Sequence, residues 1–214
     1  MLWAVIPAKD YARAKSRLAP LLGPQDRRDL ARELFLHVAS TASQVVDRVA
    51  VLTDSAEVAA DAHALGALVL PDRRQALGPL VDDALAALSG DRALVLMGDL
   101  PLLNADALLR LLLHHAAVVP DRHRLGSNAL LTPLPSGPTC FGNADSFQQH
   151  SVTYAEHSCE RMAWDIDLPE DVKAIDWAAC PRPFKVAAIV APSATRFRTS
   201  KRSPSAAIAT PAGD

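Results

Sequence analysis

Three cysteines, Cys140, Cys159 and Cys180, are too few and too widely spaced for a zinc cluster or a disulfide framework, so all three are expected to be reduced and structural. No stretch approaches the roughly 20 consecutive apolar residues of a membrane span, which argues against a membrane protein. The N-terminal apolar stretch runs only from Leu2 to Ile6 before Pro7 and Lys9, too short for a secretion signal, and the expected location is the cytoplasm. Neither a Gly-x-Gly-x-x-Gly fingerprint nor a Walker Gly-Lys-Ser is present, which excludes the usual dinucleotide and P-loop folds. Positive charge is scarce as well. Residues 181–214 carry six Lys/Arg against one acid, leaving 16 basic and 23 acidic residues in 1–180. A globular part of that sign is not a nucleic-acid platform, and a polyanionic ligand needs a local basic loop or a metal ion.

What is present fits one domain. A chain of 214 residues suits a single α/β domain, expected over residues 1–178, followed by a basic Pro/Ala/Ser-rich tail, 179–214, expected to be disordered. Leu2 to Ile6 reads as a buried strand. Leu30, Leu34, Val38 and Val45 recur at the helical period after Pro24. Strands at 48–53 and 67–70 alternate with a helix at 56–65, the order of a doubly wound, mostly parallel sheet in three layers. A helix is expected over 78–89, another over Ala105 to His115 facing the core, and strands at 116–119 and 128–132. Met162 to Leu168 reads as a strand or extended segment before a last helix at Pro169, and Lys185 to Ala191 is the one part of the tail that could dock, as a strand.

The chemistry concentrates in three places. Ala93 to Leu96 is an apolar run suited to a strand covered on both faces, and Asp99 follows it where Pro101 prevents the strand from continuing. The carboxyl ends of parallel strands are where open α/β folds hold ligands. Lys9, Arg13, Lys15 and Arg17 crowd the loop after the first strand, either as a solvated basic loop or as a phosphate cradle. Asp165 and Asp167 stand two apart, so in extended chain both carboxylates face one way. Like charges at about 4 Å and an effective dielectric of ~20 repel by roughly 4 kcal/mol, so such a pair calls for a cation. The alternative is that Asp167 caps the helix at Pro169 while Asp165 is solvated. If Asp99 converges on the pair, the three form an oxygen-only site suited to magnesium. A basic loop, a strand-end aspartate and a distal Asp-x-Asp together describe metal-dependent nucleotidyl transfer better than oxidation or hydrolysis.

Over residues 1–178 the chain resembles the 2-phospho-L-lactate guanylyltransferases of deazaflavin coenzyme F-420 biosynthesis, which have the nucleotide-diphospho-sugar transferase fold. The resemblance rests on Ile6-Pro7-Ala8-Lys9 with Ala14 to Ala19, on Gly98 to Leu103, on Pro120-Asp121-Arg122 with Ser127 to Leu130, on Phe141-Gly142 with Ser146, Phe147 and His150, and on Asp165-Ile166-Asp167 with Pro169-Glu170-Asp171. It implies that GTP and a three-carbon phospho-acid condense with release of pyrophosphate. Ala8, Lys9, Lys15, Arg17 and Asp99 would bind the nucleotide, with Lys9, Lys15 and Asp99 catalytic. Asp99, Asp165 and Asp167 would hold magnesium, and Ser127, Gly142 and Ser146 would bind the acceptor. The acceptor is left among 2-phospho-L-lactate, phosphoenolpyruvate and 3-phosphoglycerate. The chain departs from the family where Gly78-Pro79-Leu80-Val81 stands in place of a Gly-Leu-Asn stretch. A related transferase for a sugar phosphate or pterin, a non-catalytic nucleotide-binding protein, and a homodimer all stay open.

Overall fold

A computed structural model describes residues 1–73 and 76–190. Among them the strands form one seven-stranded sheet, and its order places the site. β1 (Leu2–Pro7) lies between β2 (Arg48–Thr53) and β4 (Arg92–Leu96), and β3 (Leu68–Pro71) is the edge beyond β2. These four are parallel. β6 (Ser127–Pro133) runs antiparallel to β4 and to β5 (Ala117–Pro120), and the two-residue β7 (Ala155–Glu156) closes the far edge. Because β6 is reversed, its first residue, Ser127, reaches the same sheet edge as the carboxyl ends of β1 and β4.

The alternation of strand side chains builds two cores. Ala4 and Ile6 of β1 join Phe35, Val38, Val58 and Leu108 on one face, from α1 (Pro24–Ala42), α2 (Ala56–Ala64) and α4 (Ala105–Leu111). Trp3 and Val5 point to the other face, where α3 (Leu77–Ala87) supplies Leu80, Val81 and Leu85, and α5 (Ser146–Ser151) supplies Phe147. Strands buried on both faces need continuous apolar runs, which is what β1 and β4 have. Each such buried side chain contributes about 1.5–3 kcal/mol of transfer free energy.

Three expectations are corrected. α4 stops at Leu111 rather than His115, and Leu109 and Leu113 are exposed, 50% and 85%. A leucine-rich run places leucine on both faces, and the Arg92 guanidinium ends the helix by donating to the Leu112 and His114 carbonyls at 3.3 and 2.7 Å. Of the strand or extended segment expected over Met162 to Leu168, Met162 and Ala163 belong to the short α6 (Glu160–Ala163), and residues 164–168 form no strand but are extended at Trp164 and Leu168. Among the described residues their backbone pairs with no strand, and the Asn128 amide binds the carbonyls of Met162 and Ala163 at 3.0 and 3.2 Å. The segment expected to dock as a strand is instead α8 (Lys185–Val190). Phe184 and Val186 are buried with Leu30 and Leu34 of α1 and with Val172 of α7 (Pro169–Ala174). Those apolar anchors meet a helix surface, where no sheet edge is offered, and they carry the folded part to Val190. The remainder of the expected tail, 191–214, lies outside the described residues.

Candidate active site

The loop after β1 is built before it is charged. Asp10 accepts from the Ala12 amide at 2.8 Å and from the Ser55 hydroxyl at 3.1 Å, pinning the loop to the start of α2. Tyr11 is buried, with its hydroxyl donating to Asp61 at 3.1 Å, and Arg32 forks onto the same carboxylate. Leu18 is fully buried at the end of a 3-10 turn. Between these anchors Lys15 adopts a left-handed backbone, φ 54°. Such a conformation costs a non-glycine residue about 1–3 kcal/mol and persists only where its surroundings impose it. Its consequence is to direct the side chain inward.

The Lys15 ammonium binds Asp99 at 2.6 Å and Asp167 at 3.2 Å, and Arg17 reaches the other Asp167 oxygen at 3.5 Å. Burial works against the lysine's charge, but Asp99 and then Asp167 more than offset it, and its pKa is raised. Asp165 completes the acidic group. Its carboxyl is pushed up to about 7, by burial first and by the charge of Asp99 next, although Asn128 donates to it at 3.3 Å.

The distal aspartates are delivered by a clamp. The Ile166 amide donates to the Asp99 carbonyl at 3.3 Å, which ties the segment carrying residues 165 and 167 to Asp99. Asp171, 4% exposed, accepts the amides of Asp167 and Leu168 at 2.8 and 2.6 Å and pairs with Arg122. Arg122 in turn lies 4.5 Å over the Trp164 ring. The helix at Pro169 is therefore capped by the Asp171 carboxylate, not by Asp167, whose side chain is left for Lys15 and Arg17.

A cavity of about 510 Å³ opens beside this group, lined by Ala8, Lys9, Lys15, Arg17, Asp99 and Asp167 among others. Of the residues expected to bind nucleotide, all five share it. Asp165 is not among the residues that line it, but stands close enough to feel the charge of Asp99. Ser127, Gly142 and Ser146 lie elsewhere. Ser127 and Ser146 are buried, and the Ser127 amide donates to the Ser146 hydroxyl at 3.1 Å. His150 takes the Cys140 amide on Nε2 at 2.9 Å, so its other nitrogen carries the proton and donates to the Ser127 hydroxyl at 2.8 Å. Gly142, at φ 87°, and Gly78 bring this loop against the start of α3, where a Cβ on Gly78 would meet the Phe141 carbonyl at 2.8 Å. Of the residues expected to bind the acceptor, Gly142 thus packs against the start of α3, which lines the cavity through Leu77 and Leu80.

Carboxylate oxygens suit a hard divalent cation, and a carboxyl whose ionisation its neighbours resist is one that such a cation would ionise. Among the described residues no three acidic, histidine or cysteine side chains stand together as a ready metal site. As the side chains lie, Lys15 supplies the positive charge between Asp99 and Asp167. The donor set fits magnesium provided that the ammonium yields its place. Sequence reasoning gave no task to Asp10, Tyr11, Asn128, Asp171 and Arg122, which position others; the last three stand in motifs that carried the resemblance.

Comparison with known proteins bears on the family and the fold. A family described as "Guanylyl transferase CofC like" matches residues 2–161. A phosphoenolpyruvate guanylyltransferase from Sphaerobacter thermophilus is 34% identical over 190 residues, covering 80% of this chain and 91% of that one. A 2-phospho-L-lactate guanylyltransferase from Methanothermobacter thermautotrophicus is 24% identical over 184 residues, 80% and 82% of the two chains. In structure, a Desulfovibrio desulfuricans G20 protein assigned to the nucleotide-diphospho-sugar transferases superposes with TM-score 0.70 at 15% identity, covering 88% of this chain and 93% of that one. That likeness shows the fold. No helix among the described residues is long and apolar enough to cross a membrane.

Proposed function

Because the chain belongs to the CofC-like guanylyl transferase family, we propose that it transfers the guanylyl group of GTP to the phosphate of a three-carbon phospho-acid, releasing pyrophosphate. Phosphoenolpyruvate is the leading acceptor, since the relatives at 32–35% identity carry that name, and 2-phospho-L-lactate is the second. The product would enter coenzyme F-420 assembly, as the family resemblance implies. The observation that carries the reading is the meeting of Lys15 and Arg17 with Asp99 and Asp167 at the carboxyl edge of the sheet.

Each group has a task in that reaction. Lys9, Lys15 and Arg17 bind the triphosphate and orient its α-phosphorus toward the acceptor. An oxygen of the acceptor phosphate forms the new bond to that phosphorus while the bond to the bridging oxygen breaks, and the electron pair leaves with pyrophosphate. The attacking phosphate is already anionic at neutral pH, so no side chain need remove a proton. Asp99, Asp165 and Asp167 would hold magnesium, which when bound supplies positive charge to the α-phosphoryl and leaving oxygens. Once the triphosphate arrives, Lys15 exchanges its carboxylate partners for phosphate oxygens and vacates the acidic group. Ser127 and Ser146, whose oxygens already accept one hydrogen bond each, can turn their hydroxyl protons toward an anionic acceptor.

The test is pyrophosphate release from GTP and magnesium with each of the three phospho-acids in turn. Release with phosphoenolpyruvate or 2-phospho-L-lactate supports the reading, and none with any acid defeats it.

A further inference from the structure

The cavity has two chemically different ends. At one, basic and acidic side chains meet around Asp99. At the other, Leu52, Ala76, Leu77 and Leu80 form apolar walls, and Asp72 stands among them. Asp72 follows β3 directly, and its amide donates to the Thr53 carbonyl of β2 at 3.2 Å, so the chain there is still tied to the sheet. In the strand order β3-β2-β1-β4 the ends of β3 and β4 are three strand spacings apart. At ~4.8 Å per spacing that is about 14 Å. A nucleoside triphosphate can span this with its phosphates at the basic end and its base between the apolar walls.

We infer that Asp72 reads the base: its carboxylate accepts hydrogen bonds from the ring N–H and the exocyclic amino group of guanine. This rests on the guanylyl-transfer reading above and adds the residue that selects the nucleotide. A carboxylate is acceptor-only, so it matches the two parallel donors on that edge of guanine. Adenine and cytosine present a ring acceptor at the corresponding position, which a carboxylate repels. Uracil offers the ring N–H without the amino group beside it. The apolar walls sharpen the choice, because a charge-assisted hydrogen bond is stronger beside low-dielectric surface. Among the described cavity residues at this end, Asp72 is the side chain with the chemistry to discriminate.

The experiment measures nucleotide binding by calorimetry on the full chain in the presence of magnesium, for the unaltered protein, Asp72→Asn and Asp72→Ala. The probes are GTP, ATP and inosine triphosphate, which keeps the ring N–H and lacks the amino group. The unaltered protein should prefer GTP to both others. Asp72→Ala should weaken GTP binding about 10- to 100-fold, the range for lost hydrogen bonds to a charged group. Inosine triphosphate should lose less and ATP should lose nothing, so the preferences collapse. Thermal unfolding checks the fold, and the near-isosteric Asp72→Asn carries the comparison if the alanine variant fails to fold. Affinity ratios unchanged in folded variants, or an unaltered protein without base preference, would overturn the assignment. Binding that depends on Asp72 while no phospho-acid releases pyrophosphate would defeat the proposed reaction and leave the base-reading role standing.

Discussion

The loop after β1, residues 8–18, and the loop between β6 and α5, residues 134–145, are both tied down, but to opposite ends. In the first, the ties are Asp10, Tyr11 and Leu18, which hold the backbone from below and leave Lys9 and Arg17 exposed at the cavity. In the second, Asp82 and His150 hold the backbone amides of Thr139 and Cys140, and the hydroxyl oxygens of Ser146 and Ser127 accept from the Ser127 amide and from His150. One loop delivers charge into an open cavity. The other delivers a neutral, prearranged set of hydrogen bonds. Charge suits a triphosphate, whose binding is dominated by its phosphates, whereas three-carbon acids that differ by one hydroxyl or double bond must be told apart by fixed donors.

If the two loops divide the work in this way, substitutions should separate into two kinds. The largest effect is expected from Lys15→Ala, which should lower kcat/KM on the order of 100- to 1,000-fold, as for other groups that stabilise transition-state charge. Both kcat and the KM for GTP should suffer, and steady-state kinetics at saturating acceptor would show it. A loss confined to a raised acceptor KM would break the division. Next comes Asp171→Ala, which frees the amides of Asp167 and Leu168 and leaves Arg122 without its buried partner. Stability should drop by about 3–5 kcal/mol, as when one member of a buried pair is removed, readable in urea denaturation. A variant of unchanged stability would show that the clamp is not formed.

Smaller still is Ser127→Ala. Loss of one hydroxyl should raise the acceptor KM about tenfold, roughly the worth of a single hydrogen bond, with the KM for GTP unmoved. An equal change in both would erase the distinction between the loops. The smallest effect concerns the core beneath them. His37, bonded at 3.0 Å to the Leu103 carbonyl, has its pKa lowered from 6.5 to about 4 by burial, partly opposed by that bond. Between those values the unfolded chain binds a proton that the folded chain refuses. Stability is therefore intact above about pH 6.5 and falls as the pH drops toward 4. His37→Gln should flatten that stretch of the stability profile, and a slope unchanged by the substitution would place the acid sensitivity elsewhere.

The parallel half of the sheet was legible because β1, β2 and β4 carry uninterrupted apolar runs, and those residues are fully covered. Asp99 and the basic loop could be read as well, since a charge at the end of such a run is conspicuous. Length misled for α4, because a run of leucines has helical periodicity in every phase and gives no sign of where Arg92, distant in sequence, will bind the last carbonyls. Residues 164–168 look like a strand locally and are placed by Asn128, Asp171 and the Asp99 carbonyl, none of which a local pattern contains. The same holds for the docking of Phe184 and Val186 on α1. Asp99 and Asp167 were singled out from the sequence. The ammonium of Lys15 between them was not placed there, because the left-handed turn that directs it has no signature in a lysine.

The account turns on the carboxylate at the end of β4, and Asp99→Asn tests it with almost no change of shape. Pyrophosphate release from GTP, magnesium and phosphoenolpyruvate should fall by roughly three orders of magnitude, the upper range for removing one electrostatic stabiliser, while the thermal unfolding midpoint stays within a few degrees. Turnover within tenfold of the unaltered protein would contradict the assignment of Asp99, and with it the shared role of Lys15, Asp165 and Asp167.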